Sequence, residues 1–452
     1  MIRPRLTLLA LAIPLALAGC ALGPDYQRPD ARVALPESYA NAAAASDPTT
    51  APAVDSRWWT LFGDAQLTAL VDQALASSPD ALTAAARIEE ADAVLRQVDA
   101  ALLPQIDANA GVSRSRTILP NAVEPTGLLR NTNKIGLSTS FELDVWGRLR
   151  RASEAARAQA LGTRYASETV SLSLAASVTQ AYLNLRAIDA QLLVNRDSVS
   201  SQARSTQLAR VRFDGGYASQ LDVQQAEGAL ATYTAAQVQL EKSRALAESL
   251  LGLLVGQPGL KVAAGDLRSL PVPPTPPAGL PSSLLEARPD VRKAETDLIA
   301  ANAKIGVAKA ALFPSITLTG SFGRESRDLS DLFSPAAAVW SIGAGLTQPI
   351  FEGGRLRAQV EQVSAQQKQS LEAYRKSVQT AFREVNDALI TVRQNGDSEV
   401  ALGQAMQAAK RSLQLAQARY DSGYSPYLEV LTAQRSSNDA TLAWVQNRQA
   451  RL

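Results

Sequence analysis

The sequence predicts a mainly α-helical chain with a transmembrane β part, built from two internal structural repeats that each supply two strands and one very long helix. Three observations predict it. Two runs, Gly147 to Gly216 and Gly354 to Gly423, contain no proline, have equal length and open on Gly-Arg-Leu-Arg. Four segments alternate apolar with polar or small residues over the roughly 9–11 residues that a tilted membrane strand needs. The second half of the chain also replays the first, motif by motif.

Composition removes several function classes before any motif is weighed. The chain has 452 residues and a formal net charge of +2, so bulk charge suggests neither a nucleic-acid partner nor an acidic substrate. It has no histidine, two methionines and one cysteine, so the usual general base, the commonest metal ligand and a soft metal site are all missing. No enzyme, no cofactor and no metal are expected. Alanine, serine, glutamine and leucine dominate, a composition suited to long helices at close range.

Residues 1–19 read as a signal peptide: Arg3 and Arg5, an apolar stretch from Leu6 to Ala18, then Leu17-Ala18-Gly19 before Cys20. The apolar stretch is too short to span a membrane. The small residues before the sole cysteine resemble a lipobox, which implies lipidation of Cys20; an ordinary signal peptide beside a chance cysteine is the alternative. Ala21 and Leu22 follow, and the lack of aspartate at the second position resembles an outer-membrane address. Residues 20–60 read as an extended, lipid-anchored arm broken by Pro24, Pro29, Pro36, Pro48 and Pro52. Fully extended, such an arm could reach about 100 Å.

The first repeat is assigned to 61–255. Asp64 to Ala76 has helical spacing, and Pro79 opens a helix that Pro104 ends after Leu102 or Leu103. The period then changes to two. Strands are expected at about 105–116 and 134–146, with an exposed loop from Thr117 to Asn133. On alternation alone, a soluble hairpin with one wet face fits as well. The long helix 147–214 follows, unbroken and therefore roughly 100 Å long at 1.5 Å per residue, then a helix at 219–254.

A proline-rich linker is assigned to 256–283 and the second repeat to 284–452. Pro289-Asp290 repeats Pro79-Asp80, and Phe313-Pro314 repeats Leu103-Pro104; Arg419-Tyr420-Asp421-Ser422-Gly423-Tyr424 repeats Arg212-Phe213-Asp214-Gly215-Gly216-Tyr217. This places strands at about 315–325 and 339–351, a long helix at 354–421 and a last helix at 426–452. Leu356, Val360, Val363 and Leu371 begin a series of steps of three and four, near the coiled-coil repeat. An isolated antiparallel coiled-coil hairpin is the plainer alternative.

Four strands cannot close a barrel, and an open edge in lipid would leave backbone groups without partners at several kcal/mol each. Oligomerisation follows. Two chains would give a barrel of eight strands filled by side chains; three would give twelve and room for a pore.

Arg288-Pro-Asp-Val-Arg292, Ala294-Glu295, Ile305-Gly306, Ala310-Ala311, Phe313-Pro314, Ser321-Phe322-Gly323 and Phe351-Glu-Gly-Gly-Arg355 resemble the TolC family of outer-membrane factors. Gly23-Pro24-Asp25-Tyr26 resembles its lipoprotein branch. The resemblance implies a homotrimer in the Gram-negative outer membrane, a twelve-stranded barrel and a long α-helical periplasmic tunnel. It also implies a passive exit duct for small molecules, served by a periplasmic adaptor and an inner-membrane resistance-nodulation-division pump, with outer-membrane lipid around the barrel. An exit duct for type I protein secretion, or a lipid-anchored periplasmic scaffold with no pore, are the alternatives.

By the same resemblance, adaptor docking and tunnel closure fall to the helix tips: Arg212, Gly215, Gly216 and Tyr217 in one, Arg419, Gly423 and Tyr424 in the other. Glu429 stands where the family carries a pore-facing acid, and Asp222 is its repeat-related counterpart; both are gate candidates, Glu429 the stronger. Thr432 departs from a second acid usual there. The chain also stops at Leu452, short of the final helix length seen in the first half.

Overall fold

The computed structural model describes residues 21–29, 57–118, 127–274 and 287–452. The signal peptide, Cys20 and most of the arm lie outside the described residues. The helices are α1 (Ala65–Ser77), α2 (Pro79–Asp99), α3 (Arg148–Asp214), α4 (Gln220–Val255), α5 (Pro289–Ala310), α6 (Arg355–Asp421) and α7 (Tyr427–Arg451). The strands are β1 (Gln105–Ile118), β2 (Gly127–Leu143), β3 (Ser315–Ser326) and β4 (Ala338–Thr347). Each long helix, α3 and α6, has 67 residues. None of the described helices is long and apolar enough to cross a membrane.

The chain forms two compact units, and they are not the two sequence repeats. One draws its described residues from 21–29, 87–165 and 289–378; the other draws them from 57–86, 166–288 and 379–452. Each unit mixes both repeats because strands of one repeat pair with strands of the other, and helices of one pack on helices of the other.

The first unit is organised by an antiparallel sheet in the order β1-β2-β3-β4. Residues opposite each other in such a ladder share a face. The register therefore puts Ile106, Ala108 and Ala110 beside Thr139, Leu137 and Ile135, those beside Gly320, Phe322 and Arg324, and these beside Ile342, Trp340 and Ala338. The opposite face carries Asp107, Asn109, Ser138, Ser140, Ser321 and Ser341. The apolar face is bare: Phe322 is 68% exposed, Trp340 73% and Ile342 84%. A soluble hairpin would turn that face onto a core, and none of the described residues covers it.

The limits of β2 and β4 differ from the sequence reading. β2 starts at Gly127, not near 134, and ends at Leu143, not 146, so 127–133 belong to the sheet and not to the loop. Gly127 pairs with Ile118 and Asn133 with Val112; a polar side chain does not stop a ladder whose backbone groups already have partners. β4 ends at Thr347, not 351. Pro349 has no N–H to continue it, and the Gln348 side chain donates instead to the carbonyls of Leu312 (3.1 Å) and Pro349 (2.9 Å).

Residues 21–29 are strapped onto the helices below the sheet. The Leu22 amide donates to the Trp146 carbonyl (3.0 Å), Asn302 donates to the Pro24 carbonyl (2.8 Å), and Asp25 pairs with Arg151 (2.5 Å). Tyr26 donates to Glu295 (3.2 Å), which also pairs with Arg28 (2.9 Å). Burial, then the Glu295 charge, pushes the Tyr26 phenol well above its ordinary range, so it stays a donor. Gly23 takes φ of +106°, and a Cβ there would lie 2.5 Å from Gly306 Cα. Asp144 caps α3 by accepting from the amides of Leu149 and Arg150, both at 2.9 Å.

The second unit holds the largest buried cluster. Leu67, Leu70, Val71 and Ala74 of α1 pack with Val178, Tyr182 and Leu185 of α3, and with Leu251 and Val255 of α4. Asp64 caps α1 through the amides of Gln66 and Leu67 and accepts from Tyr182 (2.5 Å). Beside it lies an ionic network. Arg186 donates to Asp189 (3.1 Å), Gln66 (2.6 Å) and the Ala263 carbonyl (2.6 Å); Arg244 joins Asp189 (2.6 Å) to Glu248 (2.8 Å).

The segment assigned as a linker is partly core. Val262, Leu267 and Leu270 are buried in the same cluster, and Gly265 donates to Asp189 at 3.0 Å. Pro271, Pro273 and Pro274 lie outside helix and strand, yet the residues before them are held by side-chain acceptors that a composition reading does not see. At the other end of the chain, Glu399 of α6 holds Arg448 (2.7 Å) and Arg451 (2.6 Å) of α7.

Candidate functional site: the paired helix tips

Both tips lie in the second unit, where α3 turns into α4 and α6 turns into α7. Each turn closes the same way. The Tyr217 amide donates to the Arg212 carbonyl (2.7 Å) and Gly216 to Phe213 (2.9 Å); Tyr424 donates to Arg419 (2.8 Å) and Gly423 to Tyr420 (2.9 Å). This is the paired closure of a Schellman motif, which needs a left-handed residue after the helix. Gly216 has φ of +78° and Gly423 of +80°. Gly215 does not share that conformation, so the left-handed turn of the first tip falls on Gly216 alone.

Arg212 reaches across from the first tip to the second. Its guanidinium donates to the carbonyls of Tyr420 and Asp421, both at 2.9 Å, and lies 4.5 Å from the centre of the Tyr420 ring. A cation on the last carbonyls of a helix is favoured by their lone pairs and by the helix dipole. Beneath it, Ala209, Val223, Ala226, Tyr420, Tyr427, Val430 and Leu431 form a small core. Gln202 donates to the Tyr427 hydroxyl and to the Ala226 carbonyl (3.0 Å). Burial raises the phenols of Tyr420 and Tyr427, against the lowering effects of Arg212 and Gln202, so both stay neutral near pH 7.

The two acids differ. Asp222 belongs to a capping box: it accepts from the Ser219 amide (3.0 Å) while the Ser219 hydroxyl accepts from the Asp222 amide (3.2 Å). At the matching place in the second tip stands Pro426, with no side-chain cap, so Glu429 is released from that task. Its neighbour is Arg419, at 4.0 Å, and both side chains are exposed. Tyr217 and Tyr424 project from the tips, 87% and 82% exposed.

Of the first-tip candidates, Arg212 thus meets Tyr420 and Asp421 of the second, while Tyr217 and Tyr424 lie open and Arg419 has Glu429 at 4.0 Å. The sequence reading missed Gln202, Tyr427 and the capping role of Ser219. Ser219-Gln-Leu-Asp222 carries the capping signature in plain view; Gln202 gives no signal, because its partners come from other helices. No group of three or more metal-ligating side chains occurs among the described residues.

A family model described as outer membrane efflux protein matches residues 70–257 and 280–452. The toluene efflux pump outer membrane protein TtgF of Pseudomonas putida is 36% identical over 451 residues, covering 97% of this chain and 93% of the relative. The cation efflux system protein CusC of Escherichia coli K12 is 34% identical over 435 residues, covering 95% and 93%. The open state of the MtrE outer membrane channel of Neisseria gonorrhoeae superposes with a TM-score of 0.85 at 31% identity, covering 96% and 95%.

Proposed function

We propose, from the premise that this chain belongs to the outer membrane efflux protein family, that three copies close their sheets into one twelve-stranded barrel and continue it into the periplasm as a helical exit duct. The chain is an outer-membrane efflux component; the assembly and its partners are the inference. The observation that carries it is the sheet itself. Its apolar face is bare, its other face is polar, and β1 and β4 each have a partner on one side alone. In lipid such edges demand closure, and three copies leave room for a water-filled lumen.

Cys20 holds the chain to the membrane by lipid. The exposed tyrosines of the tips dock a periplasmic adaptor, which links the duct to an inner-membrane resistance-nodulation-division pump. Small organic molecules are the cargo: the chain has no histidine and two methionines, which does not suit handling of soft metal ions. Three Glu429 carboxylates ring the constriction, where fixed negative charge favours cations. Asp222 lines the same level but stays bound in its cap.

Planar-bilayer recording of the purified protein tests this. It should conduct as a trimer, with cation preference that weakens in Glu429→Gln. A silent bilayer would favour the periplasmic scaffold, and unchanged selectivity would remove Glu429 from the constriction.

A further inference from the structure

The tips contain one cap that is made and one that is left open. Within the chain, Arg212 of α3 caps α6 and shields Tyr420, which is 5% exposed. The repeat supplies a second cation and a second helix end of the same design. Arg419 stands on α6 where Arg212 stands on α3, and α3 ends in the same closure as α6, with Phe213 in the place of Tyr420 and Asp214 in that of Asp421. Among the described residues no cation caps the end of α3 and Arg419 caps no helix. The Arg419 side chain is 60% exposed, with Glu429 at 4.0 Å, and Phe213 is 40% exposed.

We infer that Arg419 of one chain caps the C-terminus of α3 in the next copy of the chain, donating to the carbonyls of Phe213 and Asp214 with its guanidinium over the Phe213 ring. The occupant is a second copy because this chain already contains the complementary half, and because a closed ring of alternating tips places each second tip against the next first tip. The inference rests on the trimeric reading above. The physical reasons are those of the cap within the chain: a rigid fork of donors matches two carbonyls, the helix terminus carries partial negative charge, and the aromatic face attracts the cation.

One asymmetry marks this contact as the weaker of the two. Asp222, bound to Ser219, does not compete for Arg212. Glu429, with Pro426 in place of the serine, does compete for Arg419. The cap between copies is therefore held against a rival carboxylate, whereas the cap within the chain is not.

Paired cysteines test it in native membranes with a short thiol-reactive cross-linker, the unsubstituted chain with Cys20 as its one cysteine serving as control. Asp214→Cys with Arg419→Cys should give covalent dimers and trimers on denaturing gels; Arg212→Cys with Asp421→Cys should stay at monomer mass. A protein that is trimeric by native mass yet stays monomeric on the gel with the first pair overturns this inference and leaves the duct standing. A protein that is not trimeric overturns both. Arg419→Ala and Phe213→Ala should each lower the dissociation temperature of the trimer, and the double variant should fall no further than the worse single one. Additive losses would show that the two side chains do not pair.

Discussion

Gly216 and Gly423 sit at φ of +78° and +80°, and an added Cβ at either would meet nothing within 4 Å. Conformation alone demands glycine there. Alanine at either site should cost about 1–2 kcal/mol, the ordinary penalty for a left-handed L-residue. Gly215→Ala should cost far less, because its new Cβ would meet the Tyr217 ring at 3.0 Å and that ring is 87% exposed and free to move. Gly23→Ala should be the worst of the set, since both φ and the Gly306 backbone at 2.5 Å oppose it. Thermal unfolding of the four variants checks the order; equal losses at Gly215 and Gly216 would refute the assignment of the turn.

At the scale of the element, the sheet has two faces with opposite tolerances. Ile342→Arg on the apolar face should destabilise by roughly 2–4 kcal/mol if that residue lies near the bilayer midplane. Ser341→Arg, one residue away on the polar face, should fold normally and lower the single-channel conductance. Folding yields in detergent and bilayer recordings separate the two, and the reverse pattern would invert the barrel. The tie between α6 and α7 makes a different prediction. Burial opposes the charge on Glu399, but Arg451 and Arg448 outweigh it and hold the carboxyl below its usual range. Stability from this group is therefore full above the unfolded glutamate pKa of about 4.3 and lost as pH falls through the lower folded value. Glu399→Gln should flatten the acid-unfolding profile below about pH 4. An unchanged slope would show that the pair contributes nothing.

Over the whole molecule, the strap at 22–28 ties the arm to the helices without lipid, and the lipid proposed at Cys20 would be a second, independent attachment. Since the strap uses Asp25–Arg151, Tyr26–Glu295 and the Gly23–Gly306 contact, Cys20→Ala should lose palmitate labelling yet keep the trimer. Loss of the trimer in that variant would mean that the anchor organises assembly. The strap also shows why Gly-Pro-Asp-Tyr stands as a block: Gly23 admits the Gly306 backbone, the Pro24 carbonyl accepts from Asn302, and the other two side chains find charged partners.

The long helices, the four alternating strands and the two turns were legible in the sequence, because periodicity, proline placement and glycine act through the local backbone. The equal status of the tips was legible too, since the repeat carries it. The division into units was not: it depends on which strand pairs with which, and β2 meets β3 across nearly half the chain. Nor were the buried ionic network, the packed stretch at 260–270 or the reach of Arg212. Each depends on groups distant in sequence meeting, as Gly265 meets Asp189 and Arg212 meets Asp421, and the chain order does not say which donor finds which acceptor. Sequence by itself determined that there are two tips of one design; tertiary structure decided that one cap is closed within the chain and the other left open.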